Sequence, residues 1–141
     1  MNKSGLLKLA LIGCGHRGRQ HVQAALRAEQ FEFVAAADPD AGRLGALAQE
    51  FGADRKYDDY HNMLKSEERM DVVHLCTHPT LRFPAVEAVV EAGARAIVVE
   101  KPMALRYSEA LRMARICEEA GVLLVVNHQK RNMAEWVALK Q

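Results

Sequence analysis

Leu9-Ala10-Leu11-Ile12-Gly13-Cys14-Gly15-His16-Arg17-Gly18 decides the fold, because an apolar run passes straight into G-x-G-x-x-G. Each glycine in that spacing has its own physical task. The first permits a tight turn off a strand, the second lets backbone approach a pyrophosphate, and the third lets the next helix pack closely on the sheet. A helix starting there offers unpaired N–H groups and the positive end of its dipole to phosphates. His16 and Arg17 sit on the same turn, between the last two glycines. Asp38 lies twenty residues past Gly18, just beyond the next apolar run, Phe31 to Ala37. A carboxylate there can accept hydrogen bonds from both hydroxyls of a ribose and repels a 2′-phosphate. Gly13, Gly15, His16, Arg17, Gly18 and Asp38 together predict a dinucleotide site with NAD favoured, while Arg43 nearby keeps NADP open. The plainer alternative is a set of turn glycines with an Asp38 that only caps the helix after Pro39.

Outward from this corner, short and nearly continuous apolar runs recur at Lys8–Ile12, Phe31–Ala37, Val72–Cys76, Ala96–Val99 and Val122–Val126, with a weak sixth at Arg55–Tyr57. They read as parallel strands covered on both faces. Between them lie helical stripes at i, i+3, i+4 and i+7: Leu44, Leu47, Ala48, Phe51; Ala85, Ala88, Val89, Ala92; and Ala110, Met113, Ala114, Cys117. Each gives one apolar face to lay on a sheet. Gly52, Gly93 and Gly121 follow these stripes as left-handed stops, Ser108 reads as a helix cap, and Asp38-Pro39-Asp40 as a turn into a helix. Strand–helix alternation predicts an α/β fold: a doubly wound parallel sheet of the Rossmann type, with right-handed crossovers and strand order 3-2-1-4-5-6.

The 141 residues make one domain without internal repeats or linkers, half apolar, with net charge +1. That balance gives no electrostatic footprint for nucleic acid or an anionic membrane. No apolar stretch approaches the roughly 18 residues of a membrane helix. The run Leu9 to Ile12 is also shorter than the roughly 7–15 residues of a signal peptide's core. Three cysteines without C-x-x-C then favour a reducing cytoplasm. The six histidines show no metal-ligand spacing, and no metal site is expected. His74 reads as a hydrogen-bonded core histidine, and His78 and His128 as polar loop residues. Cys14 and Cys76 read as small fillers ending adjacent strands, and Lys65–Asp71 as a solvated turn.

In such a sheet ligands sit beyond the carboxyl ends of the strands, at the point where strand order reverses. The fourth strand ends in Cys76-Thr77-His78-Pro79 and the fifth in Val99-Glu100-Lys101-Pro102. A charged pair directly after a buried strand is poor strand chemistry and good site chemistry. With the glycine turn and Asp38, the segment Val98-Val99-Glu100-Lys101-Pro102-Met103-Ala104 resembles the N-terminal domain of the Gfo/Idh/MocA oxidoreductases (glucose–fructose oxidoreductase, inositol dehydrogenase and relatives). The helix Ala85–Ala92 leading to Gly93-Ala94-Arg95 and the segment Val126-Asn127-His128-Gln129-Lys130-Arg131 extend the likeness over nearly the whole chain.

The resemblance implies hydride transfer between a nicotinamide and a sugar, polyol or related hydroxy compound. Lys101 would then act as acid or base on the substrate hydroxyl, and Glu100 would orient it or bind the nicotinamide ribose. Thr77, Pro79 and Asn127 would line the cofactor. Phe83 stands where many relatives carry a histidine. The resemblance also implies a dinucleotide-binding domain over 1–130 and, in 131–141, the start of a helix crossing to a substrate domain that the chain lacks. The apolar face of Trp136, Val137 and Leu139 would then be exposed and promote self-association, and the chain alone would be weakly active or inactive. The rivals are a stand-alone nucleotide-binding or redox-sensing module and a domain binding S-adenosylmethionine. The Glu-Lys-Pro segment and the strand-four proline speak against the last.

Overall fold

The computed structural model describes residues 5–53, 55–67, 70–129 and 138. Among these residues six strands and five helices alternate: β1 (Leu7–Ile12), α1 (His16–Arg27), β2 (Phe31–Ala37), α2 (Ala41–Phe51), β3 (Arg55–Tyr57), α3 (Tyr60–Ser66), β4 (Val72–Leu75), α4 (Arg82–Glu91), β5 (Ala96–Glu100), α5 (Tyr107–Glu119) and β6 (Leu123–Asn127). A short 3₁₀ turn, Pro79–Leu81, precedes α4. All neighbours in the sheet are parallel, and the order is β3-β2-β1-β4-β5-β6. This is the order read from the sequence. The reversal falls between β1 and β4, which leave the sheet side by side at Ile12 and Leu75.

Two buried clusters hold the layers together. One packs α1 and α2 on the sheet through Leu9, Leu11, Val22, Phe33, Leu44 and Leu47. The other lies on the opposite face, where Ile12, Met63, Val73, Leu75, Val86, Val89, Ile97 and Met113 meet. Burying each such side chain contributes about 1.5–3 kcal/mol before conformational entropy is counted.

The helical stripes are partly redrawn. In α4 the buried positions are Arg82, Ala85, Val86 and Val89, and Ala92 is exposed. In α5 Met113 and Cys117 are buried while Ala114 is exposed. The α5 cap position is Arg106, without a side-chain hydrogen bond, so Ser108 lies inside the helix and does not cap it. Asp40, not Asp38, caps α2 by accepting from Arg43 N–H at 2.9 Å.

The stretch expected as a solvated turn proves otherwise where it is described. Glu67 is buried because Tyr57 donates to its Oε1 at 2.8 Å and Arg55 pairs with its Oε2 at 3.1 Å. Asp71 is 1% exposed, accepts from Lys8 N–H at 2.9 Å and pairs with Arg95. Glu67 thus ties down the edge strand β3, and Asp71 ties β1 to the start of β4 at the sheet's centre. Coverage of β6 is also thinner than expected, with Leu123 63% exposed. Lys130, Arg131, Trp136, Val137 and Leu139 lie outside the described residues.

Candidate functional site

Beyond the carboxyl ends of β1, β2 and β4 opens a cleft of about 660 Å³, lined by Gly13, Gly15, Asp38, Arg43, Asp58, Asp59, Tyr60, His61, Thr77 and His78 among others. Its floor is the β1–α1 corner. Gly13 has φ 97°, and a Cβ there would stand 2.8 Å from the Cys76 carbonyl group. A Cβ on Gly18 would stand 2.1 Å from the Gly13 carbonyl oxygen. Gly15 differs from both: its φ is −71°, and an added Cβ would meet nothing within 4 Å. It is the N-cap of α1, no side chain caps that helix, and its first-turn N–H groups are left for a ligand or solvent.

Asp38 stands at the mouth of this corner, almost fully buried. Its Oδ2 accepts from Cys14 N–H at 2.7 Å, and its Oδ1 accepts from Asp40 N–H at 2.8 Å and from Arg43 Nη2 at 2.9 Å. Burial alone would raise the carboxyl's pKa. The hydrogen bonds from Arg43, Asp40 and Cys14 outweigh it and hold the group below the usual carboxylate range. Each carboxylate oxygen has two acceptor sites, so Oδ2 keeps one for a further donor. Thr77 adds a second open valence: its Oγ1 is buried without a hydrogen-bond partner among the described residues. An open cradle at a helix start, a spare carboxylate lone pair and an unpartnered hydroxyl fit a diphosphate flanked by ribose.

At the ends of β4, β5 and β6 lies a second constellation. His21 of α1, His74 of β4, Glu100 of β5 and Asn127 of β6 form one hydrogen-bonded path. His21 Nε2 lies 2.9 Å and Asn127 Nδ2 2.7 Å from Glu100 Oε1, and His21 Nδ1 lies 3.2 Å from His74 Nδ1. A carboxylate only accepts, so His21 donates from Nε2, and one proton between the two Nδ1 atoms joins His21 to His74. The two donors converge on one oxygen, which brings Asn127 Nδ2 within 2.8 Å of His21 Nε2.

These bonds set the charges. Burial would raise Glu100, yet the hydrogen bonds from His21 and Asn127 bring it below its ordinary value. Burial first, and then the neighbouring His21, push His74 down to about 3, so it is neutral. The thiols of Cys14 and Cys76 are each pushed up to about 12, chiefly by burial, which makes them inert fillers.

Arg82, at the start of α4, is 3% exposed and among the described residues donates only to backbone carbonyls: to Thr77 O from Nη2 at 2.9 Å, and to Glu100 O and Pro102 O from Nη1. Lys101 follows β5 with its side chain exposed, and the Lys101–Pro102 peptide is cis.

Gly13, Gly15, Asp38 and Thr77 thus share the cleft wall. His16 lines an adjoining groove with Cys14, Arg19 and Arg43, and Arg17 is exposed and donates to Gln20 at 2.8 Å. Pro79 opens the 3₁₀ turn beside the cleft. Glu100 and Asn127 are joined to each other below the β5 corner that carries Lys101. Phe83 packs on the core and stacks under Arg112, whose guanidinium carbon is 4.3 Å from the ring centroid.

Sequence reading missed His21 and Arg82. His21 lacked any local signal, because its partners lie 53 to 106 residues away. Arg82 did carry one: it continues the buried stripe of Ala85, Val86 and Val89 at i, i+3, i+4 and i+7, and a cation there requires polar partners.

Comparison with known proteins agrees with this geometry. The family model described as an oxidoreductase family with an NAD-binding Rossmann fold matches residues 7–128. D-apiose dehydrogenase from Paraburkholderia graminis is 41% identical over 124 residues, which are 88% of this chain and 32% of that protein. 1,5-Anhydro-D-fructose reductase from Ensifer adhaerens is 31% identical over 140 residues, 99% of this chain and 40% of that protein. The WlbA dehydrogenase from Bordetella pertussis, solved in complex with NADH and UDP-GlcNAcA, superposes with a TM-score of 0.88 at 32% identity, covering 96% of this chain and 41% of that one. The chain therefore spans well under half the length of these relatives. With the family model matched over residues 7–128, it belongs to the Gfo/Idh/MocA oxidoreductases and carries their NAD-binding Rossmann domain.

Proposed function

We propose that this chain grips NAD(H) across the carboxyl edge of its sheet and serves an oxidoreductase acting on a sugar, polyol or related hydroxy compound. The observation that carries this reading is the open space at Gly15, above an uncapped helix start and beside the Asp38 carboxylate. In the reading, the diphosphate lies on the first turn of α1 at Gly13, Gly15, His16, Arg17 and Gly18, and the adenosine ribose donates to Asp38. Thr77, Pro79, Glu100, Lys101 and Asn127 would hold the nicotinamide half. NAD held there would accept a hydride from the carbinol carbon, and Lys101 would act as acid or base on the substrate hydroxyl. Glu100, engaged by His21 and Asn127, serves by fixing the corner that carries the lysine.

NAD is the favoured cofactor on charge. The cleft carries Asp38, Asp58 and Asp59 against Arg43, which Asp38 already engages. A 2′-phosphate would enter an acidic setting and compete for a guanidinium in use. The relatives' length supports a substrate-binding portion outside the 141 residues, with 131–141 leading to it, and weak or absent turnover by this chain alone. Three unpaired cysteines fit a cytoplasmic setting. Among the described residues no helix is long and apolar enough to cross a membrane.

Calorimetric titration with NADH, NADPH and S-adenosylmethionine tests the proposal. Binding of NADH, with NADPH at least about tenfold weaker, is expected. Binding of S-adenosylmethionine alone would refute it.

A further inference from the structure

Arg82 places a guanidinium where the helical stripe calls for an aliphatic side chain. Its neighbours on that stripe, Ala85, Val86 and Val89, are fully buried in the core. A buried cation costs free energy unless it is hydrogen-bonded. Here the bonds go to three backbone carbonyls, those of Thr77, Glu100 and Pro102. Among the described residues no side-chain carboxylate is hydrogen-bonded to it. The residue between Glu100 and Pro102 is Lys101. One guanidinium therefore holds the backbone on both sides of the lysine and ties it to the cleft wall at Thr77. The planar fork makes this possible, since two nitrogens diverge toward two segments of chain that no single ammonium could span.

We propose that Arg82 is a positioning residue, which fixes the Glu100–Pro102 corner and so sets Lys101 against the nicotinamide end of the bound dinucleotide. The inference rests on the dinucleotide reading above and adds a residue that touches neither cofactor nor substrate. It gives the lysine two independent supports. Arg82 holds the corner's backbone carbonyls, whereas His21 and Asn127 hold the Glu100 carboxylate. An exposed, flexible side chain such as Lys101 depends on a fixed Cα, because displacement of a reacting group by about 1 Å can cost on the order of a hundredfold in rate.

The test separates the two ends of the ligand. ADP-ribose carries the diphosphate and both riboses of NAD but lacks the nicotinamide. NADH and ADP-ribose are titrated into the 141-residue chain in three forms: wild type, Arg82→Gln and Arg82→Lys. The wild type is expected to favour NADH. Arg82→Gln should lose roughly tenfold in NADH affinity while ADP-ribose stays within about twofold. The fluorescence of bound NADH should move toward that of free NADH. Arg82→Lys should recover only part of the loss. If Arg82→Gln fails to fold by circular dichroism, Arg82→Lys and Arg82→Ala supplemented with millimolar guanidinium take its place, and guanidinium should restore NADH binding.

Equal loss of both ligands would mark Arg82 as merely structural and overturn the inference. So would unchanged binding of both, or a wild type that binds the two ligands equally. A wild type that binds neither ligand would instead remove the dinucleotide reading itself, before any Arg82 variant is measured.

Discussion

Gly15 and Gly18 belong to one motif, yet the structure separates their tasks. At Gly18 an added methyl would stand 2.1 Å from the Gly13 carbonyl oxygen, so helix and strand could not keep their distance. Gly18→Ala should therefore cost about 1–3 kcal/mol of stability through overpacking, readable as a lower urea midpoint. At Gly15 the backbone is one that alanine adopts without strain, and the methyl would project into empty space. Gly15→Ala should unfold at the wild-type urea concentration, yet bind NADH roughly tenfold more weakly or worse, because the methyl would occupy the diphosphate's position. If Gly15→Ala kept wild-type affinity, the diphosphate would not lie on this turn. Asp38 combines both kinds of task, since it braces Cys14 N–H and also presents a spare lone pair to the cleft.

Elements register such differences through their contacts. The path His74–His21–Glu100–Asn127 joins β4, α1, β5 and β6, so the helix proposed to hold the diphosphate is tied directly to the strand end that carries Lys101. It also leaves a signature in pH. His74 has its pKa depressed from 6.5 to about 3 in the fold, by burial and then by His21. The unfolded chain takes up that proton first, so stability is intact above about pH 6.5 and falls as the pH drops toward 3. Glu100 and Asp38, whose folded pKa values are also lowered, add their losses only below their unfolded values near pH 4. The window from pH 6.5 to 5 therefore isolates the histidine. Urea unfolding should show a loss of about 1.6 kcal/mol across it. His74→Leu should flatten that dependence whatever its own stability at neutral pH. A slope unchanged by the substitution would place the titration elsewhere.

For the molecule as a whole, sequence reading recovered what is local and periodic. The glycine spacing located the first crossover, and right-handed alternation then gave the order 3-2-1-4-5-6 with Asp38 and Lys101 at the same edge. It failed where a side chain's environment comes from distant chain. Glu67 and Asp71 looked like solvated charges because Tyr57, Arg55, Lys8 and Arg95, which engage them, are drawn in only by the sheet. The helix α3 escaped notice because seven residues with Met63 as the buried anchor make too short a stripe. What remains legible only in three dimensions is that the cleft bridges β1, β2 and β4. A ligand seated there holds separate crossovers together, and its effect must appear in global stability. At a concentration about one hundred times its dissociation constant, NADH should stabilise the fold by about 2.7 kcal/mol, which for a domain of this size raises the melting temperature by roughly 8–12 °C. NADPH at equal concentration should raise it less, because a 2′-phosphate meets the three aspartates. Gly15→Ala should melt at the unliganded wild-type temperature and lose about half of the shift or more. Since the shift follows from mass action on the native state alone, a melting curve that saturating NADH leaves unmoved would rule out specific binding at this edge.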